Sequence, residues 1–216
     1  MSRFLVGKVN VRKHILTHQN LHLEVLDMKQ AKILTDNESK KVISYIEAFD
    51  RYAERNKAII LLTHYCGLRV SEIASLLLSD VRNENGDINE VIHLTANQTK
   101  GSKSRRVFVN KKAKTALKQY LQSDLSVIQH SYVFHTQKGK RFNTNALTTL
   151  IKRLYERVGI VGATSHSGRR TFITKLATSG VSVRVIAEAV GHSSIATTQR
   201  YIDVNDELIS NAVELV

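Results

Sequence analysis

The sequence predicts a mainly α-helical domain carrying one small antiparallel β ribbon, an α+β arrangement. Three observations predict it. Apolar residues recur at helical spacing behind recognisable caps from Thr35 onward. Two short β-rich runs, VIHLT (91–95) and RRVFV (105–109), flank a Gly/Ser/Lys-rich link at 99–104. A chain of 216 residues, 42 % of them hydrophobic, can bury one real core and has the length of one domain, or of one domain with a short appendage.

Each element has its own justification. Residues 1–34 are basic and irregular and read as an arm. Within it His14, His18 and His22 recur every four residues, a spacing that aligns them on one helical face. A solvated face is the simpler reading, because no carboxylate or Cys stands at matching spacing; no metal site is expected. Thr35-Asp36-Asn37-Glu38 reads as a capping box, opening a helix with Val42, Ile43, Tyr45, Ile46 and Phe49 on one side. NKAIILLTHY (56–65) predicts a short apolar helix at the centre of the core, stopped by Gly67. Ser71 is expected to cap SEIASLLL and Asp80 to close it; Asn85-Gly86 marks a turn. After the ribbon, Asn110 caps a helix to about Leu121, VFH (133–135) reads as a further short strand, and Lys138-Gly139-Lys140 as a turn. Helices then follow from Asn143 through Arg157, from His166 to Ser179, from Ser182 to Gly191, from Thr197 to about Tyr201, and from Asn205 to Leu215.

Composition narrows the function. One Cys, Cys66, excludes a disulfide framework within the chain and CxxC zinc or redox motifs. No apolar run approaches the roughly 20 residues that span a bilayer, and the N-terminus lacks the apolar core of a signal peptide, so a cytoplasmic, reducing setting is expected. Lys+Arg number 32 and Asp+Glu 19, a net charge of +13. A folded domain this basic usually faces a polyanion, most often nucleic acid; a ribosomal or membrane-surface partner is the alternative. The charge is unevenly spread. Lys100, Lys103, Arg105, Arg106, Lys111, Lys112, Lys114 and Lys118 form one block without an acid, and 138–170 forms a second with Glu156 as its one acid. Residues 202–216 hold Asp203, Asp206, Glu207 and Glu214 and no base. The blocks could neutralise phosphates; the acidic tail would be repelled by DNA and should dock on protein.

Three segments carry candidate chemistry. In Gly67-Leu68-Arg69-Val70-Ser71-Glu72 an Arg follows a helix stop at a tight corner, which suits an anion-binding guanidinium. In His166-Ser167-Gly168-Arg169-Arg170 an imidazole and a guanidinium three residues apart share one helical face. The third is GHSSIATTQRY, running from Gly191-His192 to Tyr201. Each alone is more often a structural or solvated base, or a structural Tyr, than a site residue.

Their order is what discriminates. Arg, then Lys on a β ribbon, then His-x-x-Arg, then Gly-His, then Tyr resembles the catalytic domain of the tyrosine recombinase (phage integrase) family over roughly 35–205. GLRVSEI resembles its first Arg box, TKGSKSRRVFV its hairpin Lys motif, HSGRRTFIT its His-x-x-Arg box and VGHSSIATTQRYI its closing segment. The resemblance implies the DNA breaking-rejoining fold and a site-specific recombinase, performing integration, excision, inversion or resolution without metal, cofactor or ATP. It implies that Tyr201 attacks a DNA phosphodiester to give a 3′-phosphotyrosine link, that Arg69 and Arg169 grip the scissile phosphate, and that Lys100 is the general acid for the 5′-oxygen. Lys103 is the alternative acid. The resemblance further implies that His166 assists proton transfer at the nucleophile, that His192 hydrogen-bonds the phosphate, and that Glu72 braces the first Arg region. Arg170 stands where many members carry a second His.

The physics agrees. A phenol of pKa near 10 needs a base or positive charge beside it to attack at neutral pH. Two Arg and a His supply fixed donors to the charge of the phosphorane, and the leaving alkoxide needs a proton. A covalent intermediate conserves the bond energy. No Asp/Glu cluster of the two-metal nucleases is present in the sequence.

The expected organisation is therefore a basic arm (1–34), a catalytic domain (35–204) and a C-terminal amphipathic helix (205–216) whose Leu208, Ile209, Ala212, Val213 and Leu215 pack into a neighbouring protomer or on their own domain. Residues 1–34 are too few for a core-binding domain, so the chain resembles compact members such as the fimbrial inversion recombinases, or is a truncated chain. The expected partners are double-stranded DNA with a specific site, a homotetramer on two sites, and an accessory DNA-bending protein. Lys103, Arg105, Arg106, Lys152, Arg153 and Arg170 are the expected DNA contacts, and the helix at 143–157, from which Asn143, Asn145, Lys152 and Arg153 project, is the expected major-groove contact. A type IB topoisomerase-like nicking-closing enzyme and a non-catalytic DNA-binding protein on the same fold are the competing readings.

Overall fold

The computed structural model describes residues 31–123, 131–201, 209–210 and 213–214. The chain divides into two compact units, Met1–Ala31 and Lys32–Val216. The His14/His18/His22 row, most of the arm and most of the tail helix lie outside the described residues; Ile209 and Ser210 are helical.

Helix α1 (Asp36–Phe49) starts at the expected capping box: the Thr35 hydroxyl accepts from Glu38 N–H at 3.1 Å, and the Glu38 carboxylate accepts from Thr35 N–H at 3.0 Å. Val42 and Ile46 are buried, whereas Phe49, expected on the same face, ends the helix exposed. Helix α2 (Ala53–Cys66) begins earlier than its apolar run, because Asp50 Oδ1 accepts from Tyr52 N–H and from Asn56 Nδ2 and so organises one more turn. It is buried nearly all round from Ala58 to Cys66 apart from Tyr65, as a central helix must be. Helices α1, α5 and α7 pack on it.

The segment SEIASLLL departs from expectation. Arg69, not Ser71, is the cap of α3 (Val70–Ser75), because the Glu72 carboxylate reaches back to the Arg69 N–H at 2.7 Å. The chain then extends: Leu76 O accepts from Val133 N–H and Leu78 N–H donates to Ser131 O, and a separate turn of helix, α4 (Leu78–Val81), follows. Those edge bonds outcompete a continuous helix. They also explain why 133–135 is no strand: Tyr132 bridges Leu77 while His135 bridges Arg141, so the pairing is split between two partners.

Strands β1 (Val91–Leu94) and β2 (Arg105–Phe108) form the ribbon, antiparallel with Val91 opposite Phe108 and Leu94 opposite Arg105. Ile92, Leu94 and Val107 face the core, while His93, Arg106 and Phe108 face out. Next come α5 (Lys111–Ser123), α6 (Thr144–Arg157, capped by Asn143), α7 (Ser167–Thr178), α8 (Val183–Val190, capped by Ser182) and α9 (Ile195–Gln199). The fold class is as expected, mostly helical with one two-stranded antiparallel sheet among the described residues. One large core occupies the interior. A smaller cluster of Ile173, Ala177, Ile186 and Val190, joined by Phe172, Leu176, Val181 and Tyr201, lies between α7 and α8.

The start of α7 lies tightly against α2. A Cβ on Gly168 would sit 2.3 Å from His64 Cδ2 and 2.3 Å from Thr63 Oγ1. His64 cannot withdraw: it is buried, its Nε2 pairs with the Tyr155 hydroxyl at 2.8 Å, and burial pushes its pKa down to about 4. Gly168→Ala is expected to destabilise the fold by about 1–3 kcal/mol through overpacking, read as a lowered urea midpoint at unchanged slope.

Candidate active site

The centre of the site is the C-terminal end of α8. The last carbonyls of a helix have no partner within it and carry partial negative charge. Here three of them accept from three different arginines. Ala189 O takes Arg105 Nη1 at 3.0 Å, Val190 O takes Arg169 Nη2 at 2.7 Å, and Gly191 O takes Arg69 Nη2 at 3.1 Å. The second arm of Arg169 donates to Gly67 O, beyond the end of α2. Gly191 makes the convergence possible. Its φ of +66° ends the helix, and a Cβ there would sit 2.4 Å from Arg105 Cδ.

Glu72 lies beneath the guanidinium groups. It is fully buried; its carboxylate accepts from Arg69 Nη1 at 2.9 Å and from Arg105 Nε and Nη2 at 3.1 and 2.7 Å. Burial works to raise its pKa, but the hydrogen bonds and charge of Arg105, the Arg69 N–H and the Arg169 charge outweigh it, so the group stays below its ordinary 4.5. Arg169 is itself buried; desolvation first, then Arg69 and Arg105, bring its guanidinium down to about 9, still cationic at neutral pH. Three guanidinium groups against one carboxylate leave an excess of positive charge. Of the three, Arg69 is the most open to solvent, with a side-chain exposure of 19 %.

Two imidazoles border this cation cluster. His166 stands at the cap position of α7, exposed, with its pKa lowered by partial desolvation and then by Arg169, Arg69 and Lys100. His192, half-buried, is driven to about 4 by burial and then by Arg169, Arg69 and Arg105. Both are therefore neutral at pH 7. The ring of Tyr201 stacks on His192, with centroids 5.8 Å apart and planes at 22°. Its backbone N–H donates to Thr198 O at 2.9 Å, and its ring seats on the small cluster between α7 and α8. Ionised Tyr201 would raise the Arg169 pKa, which puts the phenol within electrostatic reach of that guanidinium.

The structure thus brings Arg69, Arg169, His166, His192 and Tyr201, with Glu72, around one end of α8. Lys100 and Lys103 are both exposed on the hairpin link, where Gly101 and Ser102 have φ of +99° and +52°. The Lys100 charge is felt at His166. Arg106, Lys152 and Arg153 are exposed, Lys152 beside Glu156 at 3.5 Å, and Arg170 is half-buried next to Arg169. Arg105 departs from expectation. Grouped by sequence with the DNA-facing cations, it turns inward and commits its guanidinium to Glu72 and Ala189 O. The signal was present: period-two alternation that buries Val107 and Val109 puts Arg105 on the same face. Thr198, fully buried with its hydroxyl 2.9 Å from His192 Nδ1, was not singled out; it lies one helical turn before Tyr201.

The chain belongs to the phage integrase family, whose model matches residues 32–207. The tyrosine recombinase XerA of Pyrococcus furiosus is 32 % identical over 183 residues, 85 % of this chain and 61 % of that protein. The tyrosine recombinase XerC of Caldanaerobacter subterraneus subsp. tengcongensis is 30 % identical over 200 residues, 90 % of this chain and 54 % of that one. A crystal structure of XerA recombinase matches with a TM-score of 0.71 at 30 % identity, over 86 % of this chain and 65 % of that chain. The XerH recombinase, bound to its difH substrate in a pre-cleavage complex, shares the fold with a TM-score of 0.66 at 22 % identity, over 84 % and 53 % of the two chains. The chain spans about three fifths of the length of the P. furiosus XerA. No described helix is long and apolar enough to cross a membrane.

Glu72→Gln keeps the shape and removes the charge that two guanidinium groups share. Breaking such a buried pair is expected to cost about 3–5 kcal/mol. Because the folded-state pKa is depressed, the contribution is complete above the ordinary value of 4.5 and is lost as pH falls through the lower folded value. Urea titrations from pH 7 to pH 3 should show wild-type stability falling towards that of the variant at the acid end.

Proposed function

We propose that this protein is a site-specific DNA recombinase that cuts and rejoins duplex DNA through a 3′-phosphotyrosine intermediate. The observation that carries the reading is the seating of Tyr201 against His192 beside the Arg69–Arg169 cluster. Its family membership and the names of its relatives support it.

The roles proposed are those the family resemblance implies, and the charges of the site support them. A scissile phosphate enters where the positive excess is greatest, and Arg69 and Arg169 hold its non-bridging oxygens. Their guanidinium groups are already oriented by the α8 carbonyls and, for Arg69, by Glu72, so little reorganisation accompanies charge build-up on the phosphorane. Tyr201 Oη attacks phosphorus as its proton passes to neutral His166, and the 5′-oxygen leaves with a proton from Lys100 on the ribbon hairpin. His192 donates to a phosphate oxygen. A 5′-hydroxyl of the partner strand reverses the step, so neither metal nor ATP is called for. Arg105 and Glu72 are positioning residues. Arg106, Lys103, Lys152, Arg153 and Arg170 bind the DNA backbone or the major groove along α6.

The assembly proposed is a homotetramer on two sites, the 205–216 segment of each protomer packing on its neighbour. Ile209 and Val213, the stripe residues among those described, are exposed rather than buried on their own domain. Sedimentation of the DNA complex with and without 205–216 checks this; unchanged assembly rejects it.

Incubation with fragmented DNA of the encoding organism, followed by SDS and sequencing of the protein-linked DNA, should recover one recurrent site. Tyr201→Phe should abolish the adduct. Arg69→Ala should slow its formation by about 10²–10³-fold, the scale for losing one oriented donor, while DNA affinity changes far less. Absence of any adduct from the wild-type protein overturns the reading. Binding should also weaken steeply between 50 and 200 mM salt as counterions are released.

A further inference from the structure

Thr198 is buried in α9 with no part in the chemistry above. Its carbonyl accepts from Tyr201 N–H, and its hydroxyl lies 2.9 Å from His192 Nδ1. It therefore touches the nucleophile's backbone with one group and the phosphate-binding imidazole with another.

A neutral imidazole carries one proton, and the partner of one nitrogen decides which nitrogen holds it. His192 presents Nδ1 to Thr198, which leaves Nε2 on the opposite edge of the ring. Burial and the three nearby guanidinium groups keep the ring neutral. A neutral ring can help an anion only by donating, so Nε2 must carry the proton and Nδ1 must accept one. A carboxylate or carbonyl beside Nδ1 would accept and enforce the opposite tautomer. A hydroxyl can donate.

We propose that Thr198 is a positioning residue: its hydroxyl donates to His192 Nδ1 and holds the imidazole as the Nε2–H tautomer, the form that can donate to an oxygen of the scissile phosphate. The inference rests on the recombinase reading for its purpose, but its physical content, one hydroxyl setting one tautomer, is measurable without any cleavage. The same residue holds the Tyr201 N–H, so a single buried side chain keeps phosphate donor and nucleophile in register. The competing arrangement has Nδ1–H donating to the Thr198 oxygen and the bare Nε2 turned to the guanidinium groups.

The test is the tautomer itself. The full chain, labelled with ¹⁵N-histidine, is examined by long-range ¹H–¹⁵N correlation at pH 7.5, alone and with inorganic phosphate as stand-in for the phosphodiester; the His192 signals are identified by their loss in His192→Gln. The expected wild-type pattern is the neutral Nε2–H form in both conditions. Thr198→Val, which keeps the shape and deletes the hydroxyl, should shift the ring towards Nδ1–H or a mixture and slow adduct formation by about 10- to 100-fold with DNA affinity unchanged. Thr198→Ser should restore the Nε2–H pattern. A wild-type ring in the Nδ1–H or imidazolium form overturns the proposal, whether or not the variants fold. So does a Val variant whose tautomer is unchanged. A wild-type protein with the Nε2–H pattern but no covalent adduct would instead overturn the recombinase reading.

Discussion

A carboxylate with no exposed surface holds the site together. Glu72 is fully buried, and an ion taken out of water at that depth needs partners close at hand. It takes Arg69 from the start of α3 and Arg105 from β2, and so ties a helix start to the ribbon. The converse also holds. Arg69, Arg105 and Arg169 repel one another, and without the carboxylate and the α8 carbonyls they could not share one corner. The balance is incomplete by design of the charges: one carboxylate and a helix end offset part of three cations. The remainder is available to an anion from outside.

Rigid ends of helices supply the rest. The central α2 is buried on nearly every side, so its end at Gly67 is a fixed point, and Gly67 O takes one arm of Arg169. Gly168 lets α7 approach α2 to within contact of His64 and Thr63, which sets the depth of Arg169. The end of α8 receives all three guanidinium groups. Tyr201 is anchored differently, by a small apolar cluster between α7 and α8 and by its stack on His192. Tyr201 thus sits on a satellite of the main core. Lys100 is carried on the exposed link of a hairpin whose inner face Arg105 pins to Glu72.

Most elements were legible because their signals are local. The Thr35 box, the Asn143 and Ser182 caps and the stops at Gly67 and Gly191 act within four residues of themselves. The ribbon was legible from two β-rich runs and a link. Where the chain departed from expectation, a distant partner decided. Leu76 and Leu78 bond with Val133 and Ser131 and interrupt an otherwise sound helical run, and the same bonds divide the pairing that 133–135 would need as a strand.

The site shows the same division. Four short boxes in chain order carried a family resemblance, and that resemblance singled out Arg69, Lys100, His166, Arg169, His192 and Tyr201, and Glu72 as a brace, because each box is readable without coordinates. Alternation along β2 separates Arg105 from Arg106, but the partner that Arg105 turns onto was decided only in three dimensions. A charge count cannot tell Arg105, turned onto a buried carboxylate, from Arg106 beside it, exposed on the other face of the strand. Nor can it show that Thr198 rather than solvent meets His192 Nδ1, or that α8 ends where three guanidinium groups need acceptors. The reason is physical: caps and periodicity act along the chain, whereas desolvation and hydrogen-bond partnership depend on groups that the chain brings together from more than a hundred residues apart, as Arg69 and Gly191 are.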